Sequence, residues 1–104
     1  MEITRESAAG PHRLRVGEVL VVRLDENPTT GYLWQHAIFP PGALELVDSK
    51  VERKGELPGA GGTRRFTFSA THPGAARVIL SRRRPWEPET AELERLELTV
   101  DVLE

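Results

Sequence analysis

Leu96, Leu98, Val100 and Val102 alternate with Glu97, Thr99 and Asp101 near the end of the chain. In an extended chain successive side chains point to opposite faces, so this segment has one apolar and one polar side. It reads as a half-buried strand. The same step recurs upstream: Leu20, Val22 and Leu24 share a face within Glu18–Asp25, and Trp34, His36 and Ile38 within Tyr32–Ile38. Phe66, Phe68 and Ala70 point inward within Thr63–Ala70, and Ala76, Val78 and Leu80 within Ala75–Arg83. Weaker strands are expected over Ile3–Ser7 and Leu44–Arg53. Thr90–Arg95 has helical propensity but leads straight into a strand, so at most one helical turn is expected there.

Turn formers separate these runs: Asn27-Pro28, Pro40-Pro41-Gly42, Pro58-Gly59, Gly61-Gly62, Pro73-Gly74 and Pro85. Short strands punctuated in this way predict an all-β fold, an immunoglobulin-like β-sandwich of about seven to eight antiparallel strands. Trp34 then falls on the third strand, where such sandwiches often bury a tryptophan. A chain of 104 residues has room for one core, so residues 1–104 read as a single domain. It contains no cysteine, and packing alone must hold it together.

Composition narrows the function. Sixteen acidic residues against fourteen basic ones leave a net charge of −2, which argues against a nucleic-acid binder. No apolar run approaches the ~18 residues of a membrane span. Met1–Glu6 has no apolar leader core, so the chain reads as cytoplasmic or as the mature form of a secreted or periplasmic protein. His12, His36 and His72 match no metal-ligand spacing, and neither a metal nor another cofactor is expected. With no recognisable nucleophile or acid–base motif, the chain does not read as an enzyme. His36 is expected at the core edge and the other two histidines at the surface. Arg82, Arg83 and Arg84, with Arg64, Arg65 and Arg77, could form a basic strip. Glu87, Glu89, Glu92 and Glu94 follow at once, however, and an exposed strand face is the better reading.

Three loops ask for more. In Asn27-Pro28-Thr29-Thr30-Gly31-Tyr32, Asn-Pro starts a turn, Pro28 fixes its own φ, and Gly31 permits a positive φ. Gly59-Ala60-Gly61-Gly62 leaves backbone N–H and C=O groups bare for a close approach. Arg84-Pro85-Trp86 puts a tryptophan on a proline-stiffened loop, a costly exposure unless something covers it. In a seven-stranded sandwich these are the B–C, D–E and F–G connections. Every second connection returns to the same end, so all three should lie side by side.

In this order and at this spacing, N-P-T-T-G-Y, G-A-G-G and R-P-W resemble the loops of the chagasin-type inhibitors of papain-like cysteine proteases. The resemblance runs from Val16 to the C-terminus. A lone G-x-G-G would mean little; three separated motifs on the expected connections are specific. The resemblance implies an immunoglobulin-like sandwich whose loops form a wedge. Thr29 and Thr30 would lie over the catalytic cysteine and histidine of the protease. Gly59, Ala60, Gly61 and Gly62 would flank one side of the cleft, and Trp86 would stack on the other. Asn27, Pro28, Gly31, Tyr32, Arg84 and Pro85 would shape or extend the contact.

On this reading the protein is a reversible, non-covalent and monomeric inhibitor. Its partner is a papain-like cysteine protease, and it needs no cofactor, nucleic acid or membrane. The alternative is an adhesion or interaction module that uses the same loops for a non-protease partner. A hydrolase relying on Thr29 or His36 is a third class.

Overall fold

The computed structural model describes residues 1–27, 30–53, 61–88 and 91–104. Among the described residues eight strands form: β1 Glu2–Ile3, β2 Pro11–Arg15, β3 Val19–Glu26, β4 Leu33–Phe39, β5 Leu44–Arg53, β6 Gly62–Ala70, β7 Gly74–Arg83 and β8 Glu94–Leu103. They make two four-stranded sheets, in the orders β1-β3-β6-β5 and β2-β8-β7-β4. This is the arrangement of an immunoglobulin sandwich whose first strand is divided between the sheets.

The alternating rows close on each other as their spacing requires. Leu20, Val22 and Leu24 of β3 and Phe66, Phe68 and Ala70 of β6 are at most 2% exposed. They face Val78 and Leu80 of β7 and Leu98 and Val100 of β8, all buried completely. Trp34 joins this core from β4. Each large apolar side chain so buried stabilises the fold by about 1.5–3 kcal/mol, which is how a chain without disulfides holds its shape.

The N-terminal segment departs from expectation. Of Ile3–Ser7, expected as a strand, Ile3 alone is in one, and Arg5–Ser7 forms a 3₁₀ turn. The Thr4 N–H donates to Ser7 Oγ at 2.9 Å and closes that turn. The chain then crosses to the other sheet as β2, where Leu14 alone is buried, so no alternation announced it. Both short strands pair in parallel, β1 with β3 and β2 with β8, while the longer strands pair antiparallel. In β5 a bulge between Leu46 and Asp48 turns Val47 outward, which accounts for the weak alternation there.

Register decides what lies at each pole. Glu26 pairs with Gly62, Arg53 with Gly62, Leu33 with Arg83, and Arg82 with Glu94. The ends of β3, β5 and β7 and the starts of β4, β6 and β8 therefore meet at one pole. At the opposite pole the Thr71 N–H donates to the Ala43 carbonyl and its hydroxyl to the Gly42 carbonyl, each at 2.9 Å.

Candidate functional site

The β3–β4 connection is braced from within. The Asn27 carbonyl accepts the Thr30 N–H at 3.2 Å and the Thr30 hydroxyl at 2.9 Å. The same hydroxyl oxygen accepts the Tyr32 N–H at 3.3 Å. Thr30 is exposed, yet its hydroxyl is turned back into its own loop. Gly31 has φ +80°, the left-handed region that a side chain disfavours. Pro28 and Thr29 lie outside the described residues.

The β7–β8 connection opens with a tight turn in which the Glu87 N–H donates to the Arg84 carbonyl at 3.0 Å. Pro85 occupies the second position of that turn, where its fixed φ fits. Trp86, next in line, is 73% exposed. Its ring leans on Gly31. Arg84 crosses between the two loops: its Nε donates to the Thr30 carbonyl at 3.3 Å, and its guanidinium sits 4.4 Å above the centre of the Tyr32 ring. Thr30, Gly31 and Tyr32 thus make one surface with Arg84 and Trp86.

The β5–β6 connection reaches the same pole through Gly61 and Gly62. A Cβ on Gly61 would stand 4.0 Å from the Cβ of Asn27. Gly62 is buried as the first residue of β6 rather than lying in the open loop. Gly59 and Ala60 lie outside the described residues.

A family model described as the chagasin family of peptidase inhibitors matches residues 13–100. The chain belongs to the chagasin family. Chagasin from Trypanosoma cruzi is 31% identical over 102 residues, covering 90% of this chain and 90% of that protein. Among solved structures, the cysteine protease inhibitor EhICP2 of Entamoeba histolytica superimposes with a TM-score of 0.88 at 20% identity, covering 98% of this chain and 94% of that one. PbICP-C, solved in complex with falcipain-2, does so with a TM-score of 0.66 at 21% identity, covering 99% and 90%. At those identities the two structures speak for the fold. The family is one of cysteine protease inhibitors and not of enzymes.

Beneath its loops this chagasin-family chain carries a layer of charge that the sequence reading missed. Glu26 is 2% exposed. Its carboxylate accepts the Trp34 N–H at 2.6 Å and the Arg64 Nη2 and Nε at 2.8 and 3.1 Å. Arg64 also donates to Ser49 Oγ at 3.0 Å. Across the sandwich Glu94 accepts from Arg82 at 2.9 Å and from both Nε and Nη2 of Arg5, at 2.7 and 2.8 Å. Trp34 lies between the two groups. Arg82 sits 5.4 Å from its ring centre, and its indole N–H donates to the Asp25 carbonyl at 2.8 Å. All four charged strand residues continue an inward-facing row by one further step of two. Extending each row toward the loops would have found them.

The arginines do not assemble into a strip. Arg64 and Arg82 point inward to Glu26 and Glu94, Arg65 pairs with Glu52 at 2.9 Å, and Arg83 donates to Gln35 at 2.9 Å. His36 stands at the open edge of the sandwich, its ring 5.8 Å from that of Phe66 and 6.1 Å from that of Phe68. Though the residue is exposed overall, partial burial of its ring on that side lowers its pKa from the ordinary 6.5. Among the described residues no group of three or more His, Asp or Glu is placed to hold a metal ion.

Proposed function

We propose that this chagasin-family inhibitor blocks papain-like cysteine proteases reversibly, by seating residues 27–32 in the active-site cleft with 59–62 and 84–86 on either side. The observation that carries this reading is Trp86, 73% exposed yet held against Gly31 beside a loop braced by its own hydrogen bonds. An aromatic anchor fixed beside rigid polar loops is how binding energy is usually concentrated.

The physical logic favours inhibition over cleavage. A protease cuts when a scissile carbonyl sits within about 3 Å of its nucleophile. A loop stiffened by Pro28 and tied at Asn27 and Thr30 fills the cleft while withholding a peptide bond from that position. Because Asn27, Thr30, Tyr32 and Arg84 are tied by hydrogen bonds before contact, less entropy is lost on binding. Three loops would cover about 800 Å² per partner, the size of other protease–inhibitor contacts. No bond to the enzyme's thiolate is required.

Titration of active papain with the purified chain tests this. A stoichiometric fall in activity, restored on dilution, is the expected result. Undiminished activity at micromolar excess would point instead to an interaction module with a non-protease partner.

A further inference from the structure

We infer that Glu26 is a positioning residue for inhibition: its buried carboxylate closes the base of the 27–32 loop and, through Arg64, fixes that loop against the start of β6. The inference rests on the inhibitory reading above and adds to it a residue outside the three loop motifs.

Glu26 is the last residue of β3 and Trp34 the second of β4. The bond from the Trp34 N–H to the Glu26 carboxylate, 2.6 Å long, therefore bridges both ends of the intervening loop. The same carboxylate holds Arg64, two residues beyond Gly62, and Gly62 is itself in register with Glu26. One side chain thus reaches the stems of two of the three connections. The ring of Trp34, whose backbone N–H it holds, lies under Arg82, which pairs with Glu94 across the stem of the third.

Stability alone is a poor reason for this arrangement. A buried ion pair loses much of its Coulombic gain to desolvation, and an apolar pair of similar size often serves as well or better. What the charges add is direction. A carboxylate with fixed donors on two sides holds one loop geometry, whereas an apolar plug at the top of the core would tolerate several. Preorganisation of this kind acts on affinity through the dissociation rate.

The test compares two variants. Glu26→Gln keeps an acceptor for the Trp34 N–H but loses the ion pair. Leu14→Ala opens the core at the opposite pole. Inhibition constants and dissociation rates against papain are measured together with melting temperatures. Glu26→Gln is expected to raise the inhibition constant at least about tenfold, through faster dissociation, while Leu14→Ala changes it by less than about twofold at an equal or larger loss of melting temperature. Equal inhibition by Glu26→Gln and the parent chain, or a rise matched by Leu14→Ala, overturns the inference. If Glu26→Gln does not fold, Arg64→Lys, which keeps the charge but loses the fork, carries the same comparison.

Failure of the parent reading looks different, because the unaltered chain would then not inhibit at all. Amide exchange still decides the positioning role in that case. Glu26→Gln should speed exchange at residues 30–34 and leave residues 66–70 and 74–80, toward the far pole, unchanged; the same exchange rates at 30–34 in both proteins would overturn it.

Discussion

The indole of Trp86 lies against the bare Cα of Gly31: a Cβ at that position would stand 2.6 Å from Cη2 of the ring and 3.3 Å from Cζ2. The contact joins the first and third loop motifs, separated by 55 positions, and requires glycine twice over. The backbone there is left-handed, with φ +80°, and the space is occupied.

Gly31→Ala therefore has to displace the indole. The backbone strain costs about 1–2 kcal/mol. Because Trp86 is mostly exposed and lies outside the core, moving it costs the fold little, so the chain should stay folded while inhibition of papain weakens. Melting temperature and inhibition constant, measured together, check this; an unchanged inhibition constant contradicts it.

Trp86→Ala removes the anchor itself. Inhibition should weaken by about 2 kcal/mol or more, roughly thirtyfold, as for an aromatic hot spot. Stability should hardly move, since an exposed side chain contributes little to the core. Isothermal titration and thermal melting separate the two effects.

How far these relationships could be read without coordinates depends on the strand. Where apolar residues alternate over three or more steps, as in β3, β6, β7 and β8, both the strand and its inward face were legible. β2 escaped because Leu14 is the one residue it buries. β5 was blurred by the bulge after Leu46, which reverses the face of the following residues. The loop motifs were visible as turn chemistry, and their shared pole followed from strand order. The Thr30 hydroxyl's return to Asn27 and the reach of Arg84 to Tyr32 were not, because both depend on side-chain direction rather than residue type. Glu26 and Arg64 were hidden for another reason: a charge at an inward position looks like the end of the pattern until its partner, 38 residues away, is seen.

Arg64→Met leaves the Glu26 carboxylate buried without its cation. Breaking such a pair from one side costs about 3–5 kcal/mol. Chemical denaturation should show a loss of that order. A loss under about 1 kcal/mol would mean that the pair is no more than a surface contact.

His36 supplies a pH dependence. Although His36 is exposed overall, partial desolvation of its ring, which lies beside Phe66 and Phe68, lowers its folded pKa from 6.5. Between that lowered value and 6.5 the unfolded chain binds more protons than the folded one. The contribution is therefore complete above 6.5 and lost as the pH falls through the window. Melting temperatures taken from about pH 8 to about pH 5 should decline in the lower part of the range. His36→Gln should flatten that decline, and an identical profile in the variant contradicts the assignment.

Hydrogen exchange of the chain, alone and saturated with papain, tests the wedge most directly. The account requires added protection in 27–32, 59–62 and 84–86 together, with none in 40–43 or 71–74 at the far pole. Protection centred on the far pole, or on one of the three segments without the other two, would contradict it.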